Sequence, residues 1–358
     1  MAKRRVLILA EGRFGVLDAK TATCVIRYAP DDVVGVVDSV TAGKTTDAVL
    51  GFGPPIPIVG SMEEGLALDP DTFLIGVAPR GGRLPEAWRA MVLAALEAEV
   101  EVVSGLHTFL GDDPELAAAA ELAGTTIRDL RRVPEDLPVG SRKAADVEAT
   151  VVLTVGSDCN VGKMTASVEL QRAAERMGYA AAFAPTGQTG LFLGGEGMVV
   201  DRVIADFIAG AAETIVLANA PGRDFVFVEG QGSLLHPGYS GVTLGLLHGS
   251  MPDAMILVHQ PTRTHTLNDG IEIMPVPDWV ELHERIASYL KPAPVAGIAI
   301  NGWDLDEPAA REWAARLTAE TGLPAVDPVK FGAEPLVEAI VDRVGAGKRR
   351  LAGGGAAR

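Results

Sequence analysis

Residues 156–165 read GSDCNVGKMT and follow directly on the apolar run 151–155, VVLTV. Two glycines and a lysine behind a strand-like run, with the helix-forming text ASVELQRAAERMG after them, are the parts of a phosphate cradle. In such a cradle, backbone N–H groups converge on an anion at a helix N-terminus, and a lysine adds a point charge. Gly156, Asp158, Cys159, Asn160, Val161, Gly162, Lys163, Met164 and Thr165 are therefore the candidate cofactor-binding residues. A common phosphate loop places Ser or Thr directly after its Lys, where the hydroxyl holds Mg²⁺. Here that place belongs to Met164. A thioether is a poor ligand for an ion that demands oxygen, and Thr165 stands about 100° further round the helix. Cys159 reads as a small loop residue rather than an acyl-carrying thiol, which would need thiolate stabilisation. No CxxC or Cys/His cluster appears, so no metal ligand is assigned.

Two further stretches carry chemistry. PTGQTGLFLGGEGMVVDRVIADFIAG (185–210) is rich in small and hydroxyl residues at a strand end, the place where open α/β sheets bind ligands. Thr186, Gln188 and Thr189 can donate to a carboxylate or phosphate, and Asp201 and Asp206 open the helix expected next. FVFVEGQGSLLHPGYSG (225–241) ends an apolar strand on Glu229, with Gln231 and His236 beyond it. An acid terminating a buried strand of a phosphate-loop sheet organises metal or water. Lys163, Glu229 and His236 are the candidate catalytic residues, with Thr186, Gln188, Thr189, Asp201 and Gln231 on the substrate. Asn301, ending AGIAIN, is placed to touch an adenine or the phosphate loop, and HQPTRTH carries the weaker candidates His259 and His265. In the first half, AEGRFG offers only Gly12 and Gly15 of a GxGxxG turn, while Asp38 stands where a ribose-binding acid would. The turn at 42–44, AGK, reads as a solvated loop.

These residues need an alternation of strands and helices to position them, and short apolar runs followed by helical patterns recur from end to end. The class expected is α/β, with parallel sheets. Strands are expected at 6–10, 33–38, 56–59, 73–78 and 100–105, making a Rossmann-like unit with helices such as 86–99. A second sheet starts afresh at 151–156 and continues at 180–185, 225–230, 254–259 and 295–301. Its helices are expected at 163–177, 200–213, 276–290, 308–321 and 334–344. The polar, Pro-containing text at 126–149 separates the two, which gives domains at 1–140 and 146–345 and a disordered tail at 346–358. A length of 358 residues agrees with two domains of roughly 150 residues or more. The net charge of −16 argues against a nucleic-acid partner. No apolar stretch approaches the ~20 residues of a membrane span, and MAKRR leads straight into VLILA without a signal core. A cytoplasmic protein acting on a small molecule is expected, and a hydrophobic content of 48% suggests a homo-oligomer.

GSDCNVGKMT, TGQTG, the Gly-rich GGEGMVVDRVIADFIAG and VEGQGSLLHPGYSG together resemble a family of two-domain P-loop proteins long listed as having unknown function and now associated with D-glutamate N-acetyltransferase. VVGVVDSVTAG and IPIVGSMEEGL are similar to that family's N-terminal Rossmann-like domain, so the resemblance covers most of the chain. It implies acetyl transfer from acetyl-CoA to the amine of an acidic amino acid. CoA carries a pyrophosphate and a 3′-phosphate that the loop and Lys163 can hold without a metal. Glu229 or His236 would be the base, with Thr186, Gln188 and Thr189 on carboxylates and oxyanion. More distantly, the G-x5-GK spacing and the VEG strand end are similar to dethiobiotin synthetase. That likeness implies the alternative of ATP and Mg²⁺ activating a small carboxylate, with Thr165 reaching the ion.

Overall fold

The computed structural model describes residues 4–16, 18–79, 81–267 and 269–347. Two compact units result, Met1–Arg132 and Val133–Arg358. The first unit runs β1 (Val6–Leu9), α1 (Lys20–Tyr28), β2 (Val33–Val37), α2 (Thr46–Leu50), β3 (Ile58–Val59), α3 (Met62–Leu66), β4 (Thr72–Ile75), α4 (Glu86–Glu97), β5 (Glu101–Ser104), α5 (Pro114–Ala123) and β6 (Ile127–Asp129). Its strands lie in the order β3-β2-β1-β4-β5-β6, and every pairing is parallel. That order is the dinucleotide-fold arrangement, with its switch point between β1 and β4.

The second unit runs β7 (Thr150–Gly156), α6 (Lys163–Arg176), β8 (Ala181–Ala184), α7 (Gln188–Leu193), α8 (Ile208–Asn219), β9 (Phe225–Val228), α9 (Ser240–Ser250), β10 (Ala254–His259), α10 (Val276–Ser288), β11 (Val295–Ile300), α11 (Glu307–Thr321), β12 (Ala325–Val326), α12 (Pro328–Phe331) and α13 (Glu334–Val344). The order β12-β11-β10-β7-β9-β8 is again all parallel and puts β7 between β9 and β10. All residues of β7, β9, β10 and β11 are buried. Strands covered on both faces read as continuous apolar runs, which is why they were visible in the text. One face packs on α8, α9, α10 and α11 through Ile215, Val216, Leu246, Trp279 and Leu317. The other packs on α6 and α13 through Leu170, Ala173, Leu336 and Ile340.

Apart from short or unpatterned elements that the sequence does not announce, the fold departs from expectation in four places. β6 falls inside the supposed linker, where Asp129 turns inward and accepts the N–H groups of Leu110 and Gly111 at 2.9 Å each. Further along the linker, Ser141 and Lys143 donate their N–H groups to the buried Glu213 of α8. The helix expected at 200–213 is broken into short turns at Val200–Arg202 and Ala205–Phe207, and α8 starts only at Ile208. The Val200 N–H is taken by the Thr186 carbonyl at 3.0 Å, which holds this stretch against the end of β8 instead of in a helix. Ordered chain also continues past 345: Ala346 is buried, and the Gly347 N–H donates to the Thr150 hydroxyl at 3.0 Å. The rest of the expected tail, 348–358, lies outside the described residues.

Candidate active site

β7 delivers its last residue, Gly156, into the loop that α6 closes. Asn160 and Gly162 turn the chain with φ of 53° and 99°, and Gly162 is the N-cap of α6. Glycine suits such a position, because a side chain is strained at positive φ. Lys163, the first helical residue, is buried and folds back so that Nζ donates to the Asp158 carbonyl at 2.8 Å. Asp158 is fully buried. Its Oδ2 accepts from Arg263 Nη1 at 2.9 Å and from the Leu267 N–H at 2.7 Å, and Arg263 also donates to the Cys159 carbonyl at 2.7 Å. Asp158 Oδ1 has no hydrogen-bond partner among the described residues. Met164 is buried and Thr165 half-buried, so the residue after the lysine presents a packed thioether. Asn301 lies against the loop: a Cβ placed on Gly162 would stand 3.5 Å from its Nδ2.

At the neighbouring end of β9, Glu229 is buried and its Oε2 accepts the N–H groups of Thr186 and Gly187 at 3.0 Å each. The Thr186 hydroxyl donates to the Glu229 carbonyl at 2.8 Å, and Gln231 Nε2 donates to the Thr186 carbonyl. The ends of β8 and β9 are thereby sewn into one rim. Thr154, within β7, accepts the Gly230 N–H at 2.9 Å and meets the Ser167 hydroxyl of α6 at 3.0 Å, which ties that rim to the phosphate loop. Gly230 is required there by close approach, since a Cβ would stand 1.6 Å from the Thr154 carbonyl oxygen. Gln188 and Thr189 open α7 beside this rim, half-buried and buried respectively.

His236 is buried, and its Nδ1 accepts the Gly238 N–H at 3.1 Å. Its Nε2 stands 2.7 Å from Asp269 Oδ2 without the alignment of a hydrogen bond. A lone pair facing a carboxylate at that distance would be repelled, so the ring proton belongs on Nε2 and the lone pair on Nδ1. Asp158, Cys159 and His236 each bring one ligand atom to within 4.8 Å of the others. Burial pushes the Cys159 thiol up, against a smaller opposing effect of Lys163, so the loop cysteine is held as a thiol. His259, weighed lightly from sequence, lines the loop instead: Nδ1 meets the Ser157 hydroxyl at 2.9 Å. Burial, reinforced by the Arg263 charge, lowers its pKa to about 4 and keeps it neutral.

Other expected residues stand apart from this arrangement. Asp201 and Asp206 are exposed on the turns before α8. His265 is exposed and pairs locally with the Thr264 hydroxyl. In the first unit, Asp38 is fully buried; its Oδ1 accepts the Gly12 N–H at 2.6 Å and its Oδ2 the Thr41 N–H at 3.0 Å. Its carboxylate staples the β1 and β2 loops together. Lys44 is exposed in the turn at 42–44. Arg263, Asp269, Ser157 and Thr154 were not singled out in the sequence. Only Arg263 carried a signal, as the cation inside HQPTRTH.

An all-parallel sheet built round a glycine- and lysine-bearing phosphate loop, preceded by a sheet in Rossmann order, defines a two-domain P-loop protein. The family profile described as a P-loop domain of unknown function, DUF1611, matches residues 138–337, and its Rossmann-like N-terminal companion matches 39–133. The chain belongs to the DUF1611 family. Two relatives carry the name D-glutamate N-acetyltransferase. One, from Tritonibacter scottomollicae, is 38% identical over 91% of this chain and 95% of its own. The other, from a Pseudoalteromonas species, is 36% identical over 77% and 83%. The crystal structure of a DUF1611 family protein from Anabaena variabilis is 40% identical, with a TM-score of 0.91 over 95% of this chain and 99% of that one. Among the described residues, no helix is long and apolar enough to cross a membrane.

Proposed function

We propose that this chain transfers the acetyl group of acetyl-CoA to the amine of an acidic amino acid, D-glutamate being the substrate named for its relatives. The observation that carries the reading is the loop itself: the glycines and Lys163 of an anion cradle are present, while the position that should hold Mg²⁺ is filled by buried Met164. Such a loop suits a phosphate-bearing carrier that is held and not cut. Loop N–H groups and Lys163 take the carrier's phosphates, Nζ leaving the Asp158 carbonyl to do so. Bound acetyl-CoA supplies the acetyl group as a thioester.

The chain's own task is to orient the amine, remove its proton and stabilise the oxyanion while the C–N bond forms and the C–S bond breaks. Glu229 is the base: two backbone N–H groups fix its carboxylate at the sheet end beside the phosphate loop. His236 is less suited, because a substrate amine would first have to displace the Gly238 N–H from the lone pair on Nδ1. Gln188 and Thr189 offer donors for the substrate carboxylates or the oxyanion, and Gln231 and Thr186 hold the rim that carries them. An ATP and Mg²⁺ reaction would need the half-buried Thr165 hydroxyl to ligate the ion in place of the residue that follows Lys163. The test is thiol release from acetyl-CoA with D-glutamate in the absence of ATP and Mg²⁺. Free thiol matched by N-acetylglutamate supports the reading. No thiol, together with ADP formed from ATP and an acidic substrate, overturns it.

A further inference from the structure

We propose that Asp158, Cys159 and His236 form a binding site for one divalent transition ion of the zinc class, set directly on the phosphate loop. The site stands on geometry alone and does not depend on the acetyl-transfer reading. Its three donors, a carboxylate oxygen, a thiol sulfur and an imidazole nitrogen, lie within 4.8 Å of one another. Bonds of 2.0 to 2.3 Å in a tetrahedron put neighbouring donors about 3.3 to 3.8 Å apart, so modest side-chain rotation closes the site.

The second observation is an orphan. Asp158 is fully buried, Arg263 and the Leu267 N–H occupy its Oδ2, and Oδ1 meets no hydrogen-bond partner among the described residues. Buried carboxylate oxygens are rarely left so, because desolvation without a partner is costly. An ion bound by Oδ1 removes that cost. His236 is prepared for the same purpose. With its proton on Nε2 facing Asp269 Oδ2 at 2.7 Å, the lone pair is on Nδ1, where the ion displaces the N–H of exposed Gly238. A carboxylate on the far nitrogen is the usual outer partner of a metal-binding histidine. Cys159 exchanges its thiol proton for the ion, releasing one H⁺ per ion bound.

The donor set selects the metal. Thiolate with imidazole favours zinc, whereas Mg²⁺ requires oxygen throughout. Three protein ligands leave a fourth position open, the pattern of a zinc site that presents water or a substrate oxygen rather than one that only staples a fold. The phosphate loop that lacks an oxygen after Lys163 thus supplies two donors of a softer metal site, Asp158 and Cys159, five and four residues before that lysine.

The test uses the full chain stripped with chelator and titrated with Co²⁺, then with Zn²⁺ in competition. The expected result is one ion per chain with a thiolate-to-cobalt charge-transfer band. Cys159→Ser abolishes the band and weakens binding at least about 100-fold, and Asp269→Asn weakens it about 10-fold while keeping the band. No band in the wild-type chain, or a band and affinity unchanged in folded Cys159→Ser or His236→Gln, overturns the proposal. A readout without variants runs beside it: Zn²⁺ should slow alkylation of Cys159, followed at that residue by mass spectrometry, at least about 10-fold, as a metal-held thiolate is withdrawn from reaction. Unchanged alkylation overturns the site, as does an acetyl thioester found on Cys159 after acetyl-CoA alone. Thiol release with D-glutamate, measured on the same protein, reads the acetyl-transfer proposal separately.

Discussion

Replacing Glu229 separates its two duties, because glutamine and alanine remove different things. Glu229 Oε2 accepts two backbone N–H groups at 3.0 Å each, from Thr186 and Gly187, in a buried setting. Alanine leaves both donors buried without an acceptor, at about 1 to 3 kcal/mol each, so Glu229→Ala should lose roughly 4 kcal/mol of stability. Glutamine keeps an oxygen able to accept both bonds but drops the charge. Charge-assisted bonds are about twice as strong as neutral ones, so Glu229→Gln should lose only about 2 kcal/mol. Its effect on turnover should be far larger, since removing a general base costs about 100- to 10,000-fold. Urea unfolding reads the first quantity, and thiol release from acetyl-CoA at saturating D-glutamate reads the second. The apparent affinity for acetyl-CoA should change little, because Lys163 and the loop remain. A folded Glu229→Gln protein with kcat within about threefold of wild type would refute the assignment of the base and leave Glu229 as a strut.

Stability should fall with acid through two buried histidines. His259 and His283 are each lowered from 6.5 to about 4, mainly by burial. Between those values the unfolded chain binds protons that the folded chain does not, so their stabilisation is complete above pH 6.5 and lost as pH falls towards 4. At 1.36 kcal/mol per pKa unit this comes to about 3 kcal/mol for each; urea midpoints at pH 7, 5.5 and 4 test it, and His283→Gln should remove about half of the slope. Met164→Thr should create Mg²⁺-dependent ATP affinity if the buried thioether is what excludes the ion, with truncation in the packed loop costing about 2 kcal/mol. Unchanged nucleotide affinity would pass that role to Thr165 or to the extra loop residue.

The strands that carry the site were legible because each is buried on both faces and reads as an unbroken apolar run ending in Gly156, Glu229 or Asn301. The elements that escaped are those whose stability is tertiary. β12 is two residues long and lies at a sheet edge, too short to leave a pattern. α9, SGVTLGLLHGS, has the composition of a loop by propensity, with three glycines and a poor amphipathic pattern. It is a helix because two of those glycines let it approach α8: a Cβ on Gly245 would stand 2.4 Å from the Ile208 side chain, and one on Gly249 2.1 Å from the Ala209 carbonyl oxygen. The site shows the same division. The phosphate loop, Glu229 and Gln231 could be read from local order, as each follows a strand directly. The His236–Asp269 contact and the gathering of Asp158, Cys159 and His236 could not, because three separate loops supply them and no spacing marks a group assembled by sheet order.

On the proposed function, the loop from Gly156 to Lys163 holds a phosphate-bearing acyl carrier without a magnesium ion. Calorimetric titration of CoA into the purified chain, with neither Mg²⁺ nor ATP present, tests it most directly. Saturable binding at one CoA per chain, weakened at least about tenfold by Lys163→Ala as the loss of about 1.4 kcal/mol or more requires, is the expected result. Absence of CoA binding under those conditions, alongside ATP binding that appears only with Mg²⁺, would rule out a loop that holds an acyl carrier and assign it to a magnesium nucleotide.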